Sequence, residues 1–267
     1  MNDYEQQQLK QLRRWQAQKP DWGTRLLAKP TGVASKVVQK LVPVSAIQAA
    51  LKGMNNVALK LSSEDSLVIA AGVDEIKQLR KQPMETCDRL ALREQRRAMA
   101  MAGAGGAVFG VFGAAGLAAD VPTLLTLVMR TIHRTGLCYG EQAERALVIG
   151  IFALASANSA EEKAAALAAL DSEMDEMDAV DHAAARDGLE RAAERELAKE
   201  AAVFSLQTLA QRVGVNLGKR KIAGSLPVLG AVVGSAVNAW YVRDVAQIAQ
   251  RVFQERWLRA RYPELHF

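Results

Sequence analysis

Twenty-two consecutive residues, Ala98–Ala119 (AMAMAGAGGAVFGVFGAAGLAA), carry no charge and run directly into Asp120-Val121-Pro122. A second stretch of twenty-one, Ile222–Val242 (IAGSLPVLGAVVGSAVNAWYV), is likewise uncharged. Read at helical spacing, Ala102, Gly106, Gly110, Ala114 and Ala118 fall on one slowly drifting stripe, with Gly103, Gly113 and Gly116 beside it. In the second stretch Gly230, Gly234 and Asn238 repeat the same step. Stripes this flat let two backbones approach closely, so the natural partner of one is the other. Gly106, Gly110, Gly113, Gly230 and Gly234 are the expected helix-packing positions. Each interior Gly loses about 1 kcal/mol relative to Ala, so contact between helices must rescue both segments. The Gly clusters at 103–106 and 113–116 also permit a break, giving two half-helices or a re-entrant hairpin.

Two environments satisfy such segments. About 20 apolar residues span the hydrocarbon core, and both runs reach that length. Only seven of the first twenty-two residues are strongly apolar, however, and nine of the second twenty-one, which also holds Ser225, Pro227, Ser235 and Asn238. Length favours lipid and composition favours a buried helix pair. Arg89, Arg93, Arg96 and Arg97 precede the first run, and Lys219, Arg220 and Lys221 the second. Basic clusters beside apolar segments are what an anionic leaflet attracts, and they are equally the solvated ends of ordinary helices.

A chain of 267 residues can bury a substantial core as one large helical domain or at most two. The aromatic share is 5%, so that core depends on close helix approach more than on large side chains. Cys87 and Cys138 are far apart and lack metal-ligand company, which fits a reducing compartment. The N-terminus, MNDYEQQQLKQLRRWQAQKPDW, has no apolar core of a secretory signal, so the expected location is the cytoplasm or the cytoplasmic face of the inner membrane. Net charge is +5, unevenly spread: residues 161–200 hold thirteen Asp/Glu against five Lys/Arg, a net of −8 that leaves +13 elsewhere. A basic body beside an acidic arm can face phosphates. Nucleic acid is not the expected partner, because no basic-aromatic interleaving or binding module accompanies the charge.

In chain order the pattern is helical throughout. Residues 3–18 form an amphipathic helix with Leu9, Leu12 and Trp15 on one side, and residues 1–30 together read as a docking arm with its connector. Residues 31–267 read as the helical domain. Thr31–Leu61 keeps helical spacing with a bend at Pro43, and Ser62-Ser63-Glu64-Asp65 signals the next start. A basic helix over 84–97 leads into the Gly-rich run. Asp120 is placed to cap the following helix, with Pro122 in its first turn and an end at Tyr139-Gly140. A helix over 141–157 follows, then a capping box at Ser159 and Glu162 opening a long acidic segment with a soft break near Asp187-Gly188.

Chemistry-bearing motifs are absent from the sequence or incomplete. Gly103-Ala104-Gly105-Gly106 resembles a dinucleotide loop, but Val108 stands where the third Gly belongs and the preceding residues read as helix. His133, His182 and His266 are scattered, so no zinc or other metal site is expected, and no cofactor. The acidic run 171–178 lacks the glycine and terminal Glu of a calcium loop. Asp120, Arg130 and Asn238 form the candidate polar set, since polar groups beside apolar helices need partners. Helix cap, surface charge and interhelical hydrogen bond are their structural roles; ligand binding is the functional one.

The order of a Gly-rich run, GLAADVPTLLTLVMRTIHRTGLCYG (116–140) and then KIAGSLPVLGAVVGSAVNAWYVRDVAQIAQRVFQERWL (221–258) resembles the EcsC family. The resemblance rests on Asp120, Pro122, Arg130, Tyr139, Gly140, Pro227, Gly230, Gly234 and Asn238 and spans roughly residues 30–260. It implies a helical, membrane-associated protein without established chemistry, whose namesake is encoded beside an ABC exporter; membrane lipid or a membrane protein such as an ABC transporter is then the implied partner. Some relatives carry a protease-precursor label, which no zinc motif or activated nucleophile in this sequence supports. The expectation is therefore an all-α multi-helix bundle with its two Gly/Ala-rich apolar segments packed together, serving as a non-catalytic membrane-associated accessory or regulatory protein. The alternative is a hydrolase or lipid-handling enzyme with a site near Asp120, Arg130 and Asn238.

Overall fold

The computed structural model describes residues 1–18, 58, 60, 62–110, 113–157, 160–182 and 230–265, with side chains for these except 106–110, 113–121, 172–182, 230–235 and 237. Among the described residues the fold is all-α. Seven α-helices occur: α1 (Asp3–Ala17), α2 (Asp65–Ala71), α3 (Met84–Gly110), α4 (Gly113–Cys138), α5 (Arg145–Ala155), α6 (Ala160–His182) and α7 (Gly230–Arg261), with a 3-10 helix at Ile76–Lys81. The expected helix over 31–61, the cap at Ser159 and the break near 187–188 lie outside the described residues.

Local sequence explains the boundaries. Asn2 accepts from the Glu5 amide at 2.8 Å while Glu5 returns a bond to the Asn2 amide at 2.9 Å, a reciprocal pair that starts α1. Helix α2 stops at Gly72, whose φ of +66° turns the chain. Pro83 offers its carbonyl to the Thr86 amide at 2.9 Å and has no N–H to leave orphaned, so α3 begins beside it.

One expectation requires correction. Asp120 does not open a helix: α4 starts at Gly113 and runs through both Asp120 and Pro122. The residues before Asp120 are Ala-rich good helix formers, and the turn continues through the missing proline N–H. Thr126 Oγ1 donates to the Pro122 carbonyl at 3.0 Å within the same helix. Likewise the helix expected over 141–157 begins only at Arg145. The Gly-rich run belongs to two helices, α3 described to Gly110 and α4 from Gly113.

Helices α3, α4 and α7 make the centre of the molecule, each packed on the other two. Buried positions on α3 recur as Met84, Cys87, Ala91, Ala98 and Ala102, one stripe at helical spacing. Every residue from 131 to 140 in α4 and its terminal turn is buried, which makes this the most enclosed segment described. Helix α7 contributes Val242, Val245, Ala249, Val252 and Phe253. Helices α3 and α7 run antiparallel: Asp88 meets Gln254, while Leu92 and Gln95, further along α3, line a cleft with Arg251 and Ile248. That register sends the Gly-bearing ends of both helices toward the same end of the bundle. The glycine contacts themselves fall outside the described side chains. Helix α1 lies across α3 and α7 with Leu12 fully buried, and α5 packs on α6 and α7.

Candidate functional site

Two buried polar centres, one at each level of the α3–α4 hairpin, organise the described side chains. The lower one is Asp88, in the first turns of α3 and 6% exposed. Tyr4 donates to its Oδ2 at 2.7 Å, Gln254 Nε2 to the same oxygen at 2.9 Å, and Tyr139 to Oδ1. A buried carboxylate holding three donors from α1, α7 and the end of α4 joins four segments at one point. Burial, then the Asp88 charge and hydrogen bond, push the Tyr139 phenol well above its ordinary value. Its ring stacks on Phe253 at 6.2 Å between centroids.

The upper centre is the Glu94–Arg134 pair, 2.8 Å apart with both side chains almost entirely enclosed. Arg134 also donates to the Ser63 carbonyl and, at 2.9 Å, to Ser66 Oγ, so it ties α4 to α3 and α2. Arg97 reaches the other Glu94 oxygen at 2.8 Å. Burial raises the Glu94 carboxyl, but the Arg134 bond and charge with those of Arg97 outweigh it and hold the group below its ordinary value. Paired in this way, the ions meet the condition under which enclosed charges are tolerated.

The sequence-derived polar set is dispersed over these levels. Tyr139 belongs to the Asp88 centre. Arg130, nine residues earlier on α4, sits about 13 Å along the helix axis and on the opposite side of it, so the two do not share a site. Its guanidinium reaches Met101 Sδ at 3.9 Å, and burial lowers its pKa. Asn238 is buried on α7 at 2% exposure. The α3–α7 register places it near the level of Met101 and Arg130. The Asp120 side chain lies outside the described residues, as do the packing contacts of Gly106, Gly110, Gly113, Gly230 and Gly234.

The same end of the bundle exposes large apolar groups. Met101 on α3 is 51% exposed and Trp240 on α7 is 40% exposed. Arg243 lies over the Trp240 ring at 5.5 Å, one turn back along α7. Arg93, Arg96 and Arg97 are exposed one to two turns back along α3. Sequence reasoning named the arginines but missed Met101 and Trp240 as a pair, because only the antiparallel register aligns them. It also missed Asp88, Glu94, Arg134 and Gln254, none of which belongs to a motif.

Nucleophilic or metal chemistry finds little purchase among the described residues. Burial raises the Cys87 thiol to about 12 and pushes Cys138 well above its ordinary value, so neither is a thiolate at neutral pH. His133 is buried and its pKa lowered by desolvation, which keeps it neutral. No three His, Cys, Asp or Glu side chains gather among the described residues as metal ligands would. Among the same residues, no helix is long and apolar enough to cross a membrane.

The model of the EcsC protein family covers residues 6–258, from within α1 almost to the end of α7. None of the curated proteins and none of the solved structures matches the chain.

Proposed function

The chain belongs to the EcsC protein family, and from that premise we propose that it is a non-catalytic accessory or regulatory protein docking on the cytoplasmic face of the inner membrane. The docking surface is the end of the bundle carrying Met101 and Trp240. A membrane protein, an ABC transporter by family resemblance, is the partner to be sought there.

The observation that carries this reading is the exposure of Trp240 and Met101 at one level, backed by Arg93, Arg96, Arg97 and Arg243. Tryptophan favours the headgroup region, where its ring is buried and its N–H stays wet. Each arginine near an anionic surface adds about 1 kcal/mol of attraction. The two terms together suit peripheral attachment, and Gly-lined helix ends beside them let lipid or a partner helix approach the backbone closely.

Co-sedimentation with vesicles tests the proposal. Binding is expected to phosphatidylglycerol vesicles and not to phosphatidylcholine, to weaken in high salt, and to fall at least about tenfold in Trp240→Ala and in an Arg93/Arg96/Arg97 triple Gln variant. In cell fractions, release by salt means charge docking and retention after carbonate means insertion. A chain that stays in the supernatant with both vesicle types at low salt would sink the reading.

A further inference from the structure

A cleft of about 640 Å³ opens between α1, α3 and α7, with part of α6 on its wall. Its lining is rich in glutamine and holds three cations, Arg14, Lys163 and Arg251. Arg251 directs three of its donors to neutral amide oxygens, Gln8 at 3.2 Å, Gln254 at 3.0 Å and Gln11 at 3.1 Å, and keeps others for a ligand. Lys163, 6% exposed, donates to the main-chain carbonyls of Trp15 and, at 2.8 Å, Gln18, and lies 4.6 Å from the centre of the Trp15 ring. Neither cation forms an ion pair among the described residues. Arg14 is exposed at the mouth and makes no ion pair among them either.

The two carboxylates on the wall do not offset this charge by contact. Asp88 is engaged by Tyr4, Tyr139 and Gln254, and Asp244 pairs with Arg243 at 3.2 Å. Desolvation lowers the pKa of both Lys163 and Arg251, and at Arg251 the nearby Asp88 charge offsets only part of it. Gln95 completes the picture. It lines the cleft and is 7% exposed, yet its side-chain amide makes no hydrogen bond among the described residues. Its amide atoms are open to the cleft, where a hydroxyl can meet both the donor and the acceptor.

From this cleft we infer that the protein binds a small hydroxylated organic phosphate, its phosphate held by Lys163, Arg251 and Arg14 and its hydroxyls by Gln95 and neighbouring glutamine amides. A phosphate brings the anion that the enclosed cations lack, and hydroxyls both give and accept, as the amides require. A cationic ligand would meet Asp88 with both carboxylate oxygens already engaged by donors. The inference is independent of the membrane surface at Met101 and Trp240. A soluble sugar phosphate and a phospholipid headgroup share the chemistry.

Isothermal titration of the full chain with glucose 6-phosphate tests it, with glucose and inorganic phosphate as the separated halves and phosphatidylglycerol vesicles as the lipid source. The ester is expected to bind at least about tenfold more tightly than either half, and Arg14→Ala and Gln95→Leu each to weaken it about tenfold. If only vesicles bind, with the same loss in these two variants and none in Trp240→Ala, the phosphate is a lipid headgroup. Lys163→Met should abolish binding; if that variant fails to fold, Arg14→Ala, altered only at the exposed mouth, decides. No binding of ester or vesicle, or binding unchanged in both Arg14→Ala and Gln95→Leu, overturns the inference.

Discussion

Tyr139, in the turn that ends α4, donates its hydroxyl to Asp88 in the first turns of α3, fifty-one positions earlier in the chain. Tyr4 reaches the same carboxylate from eighty-four positions away, and Gln254 from one hundred and sixty-six. Asp88 is thus the tie between the amino-terminal helix, the central hairpin and the last helix. Tyr139→Phe removes one donor and is expected to cost about 1–3 kcal/mol, and Asp88→Ala more, because three enclosed donors then lose their acceptor. Urea unfolding measures both. A Tyr139→Phe midpoint equal to that of the parent chain would show that the bond contributes nothing.

The same region sets the alkaline limit of stability. Burial raises Cys87 from an ordinary 9.0 to about 12 and pushes Cys138 and Tyr139 well above their ordinary values. A folded pKa above the unfolded one means stability that is complete below the unfolded value and lost as pH climbs toward the folded one. The unfolding temperature should hold level up to pH 9 and then fall. Cys87→Ala should soften that fall without removing it, since Cys138 and Tyr139 remain. A melting temperature unchanged between pH 8 and 11 would contradict this.

Acid stability depends on a different pair. Glu94 is held below its ordinary value by Arg134 and Arg97 against the effect of burial, so its contribution is present above the unfolded carboxylate value and lost as pH falls through the folded one. Arg134→Met leaves Glu94 enclosed beside Arg97 alone, and is expected to cost about 3–5 kcal/mol at neutral pH. Glu255 has the opposite sign. Burial raises it more than Arg259 and Gln16 lower it, so ionising Glu255 works against folding at neutral pH. Glu255→Gln should therefore cost less than Glu94→Gln. Equal losses in the two amides at pH 7 would refute the assignment.

The all-α fold was legible in helical periodicity, the bounds of α1 in an amphipathic pattern and the end of α4 in Tyr139-Gly140. Asp120 misled because a cap residue followed by Pro is a strong local signal, while the alanines before it carry the helix across on propensity alone. Tyr139 was singled out from the family pattern, yet its partner Asp88 belongs to no motif; only the folding of α3 against α4 brings them together. Arg130 and Arg134 are one turn apart and indistinguishable by composition. The enclosed one is Arg134, because its side of α4 meets Glu94 and the α2 segment. The arginines at 93, 96 and 97 read as a basic cluster, whereas Trp240 and Met101 come to one level of the bundle through an antiparallel register that no local pattern encodes.

The Tyr139-Gly140 turn explains why glycine is required there. Gly140 has φ of +76°, a conformation that side chains strain to adopt, and a Cβ at that position would lie 2.6 Å from the Arg80 amide nitrogen and 3.1 Å from the Ile76 carbonyl oxygen. The backbone of the 3-10 helix therefore packs directly on this glycine. A Cβ on Gly136, one turn earlier, would lie 2.8 Å from Phe253 Cζ and 2.9 Å from the Glu141 carbonyl oxygen. At Gly136 an added methyl displaces an aromatic ring and presses on one carbonyl, whereas at Gly140 it meets main chain and a strained φ together. Gly140→Ala is expected to cost about 2–4 kcal/mol and Gly136→Ala about 1–3 kcal/mol. Because Tyr139 adjoins Gly140, the first substitution should also shift the Tyr139 hydroxyl from Asp88, so that adding Tyr139→Phe to it costs less than Tyr139→Phe alone. A double-variant cycle by urea unfolding reads the coupling, and strictly additive losses would show that turn and carboxylate are independent.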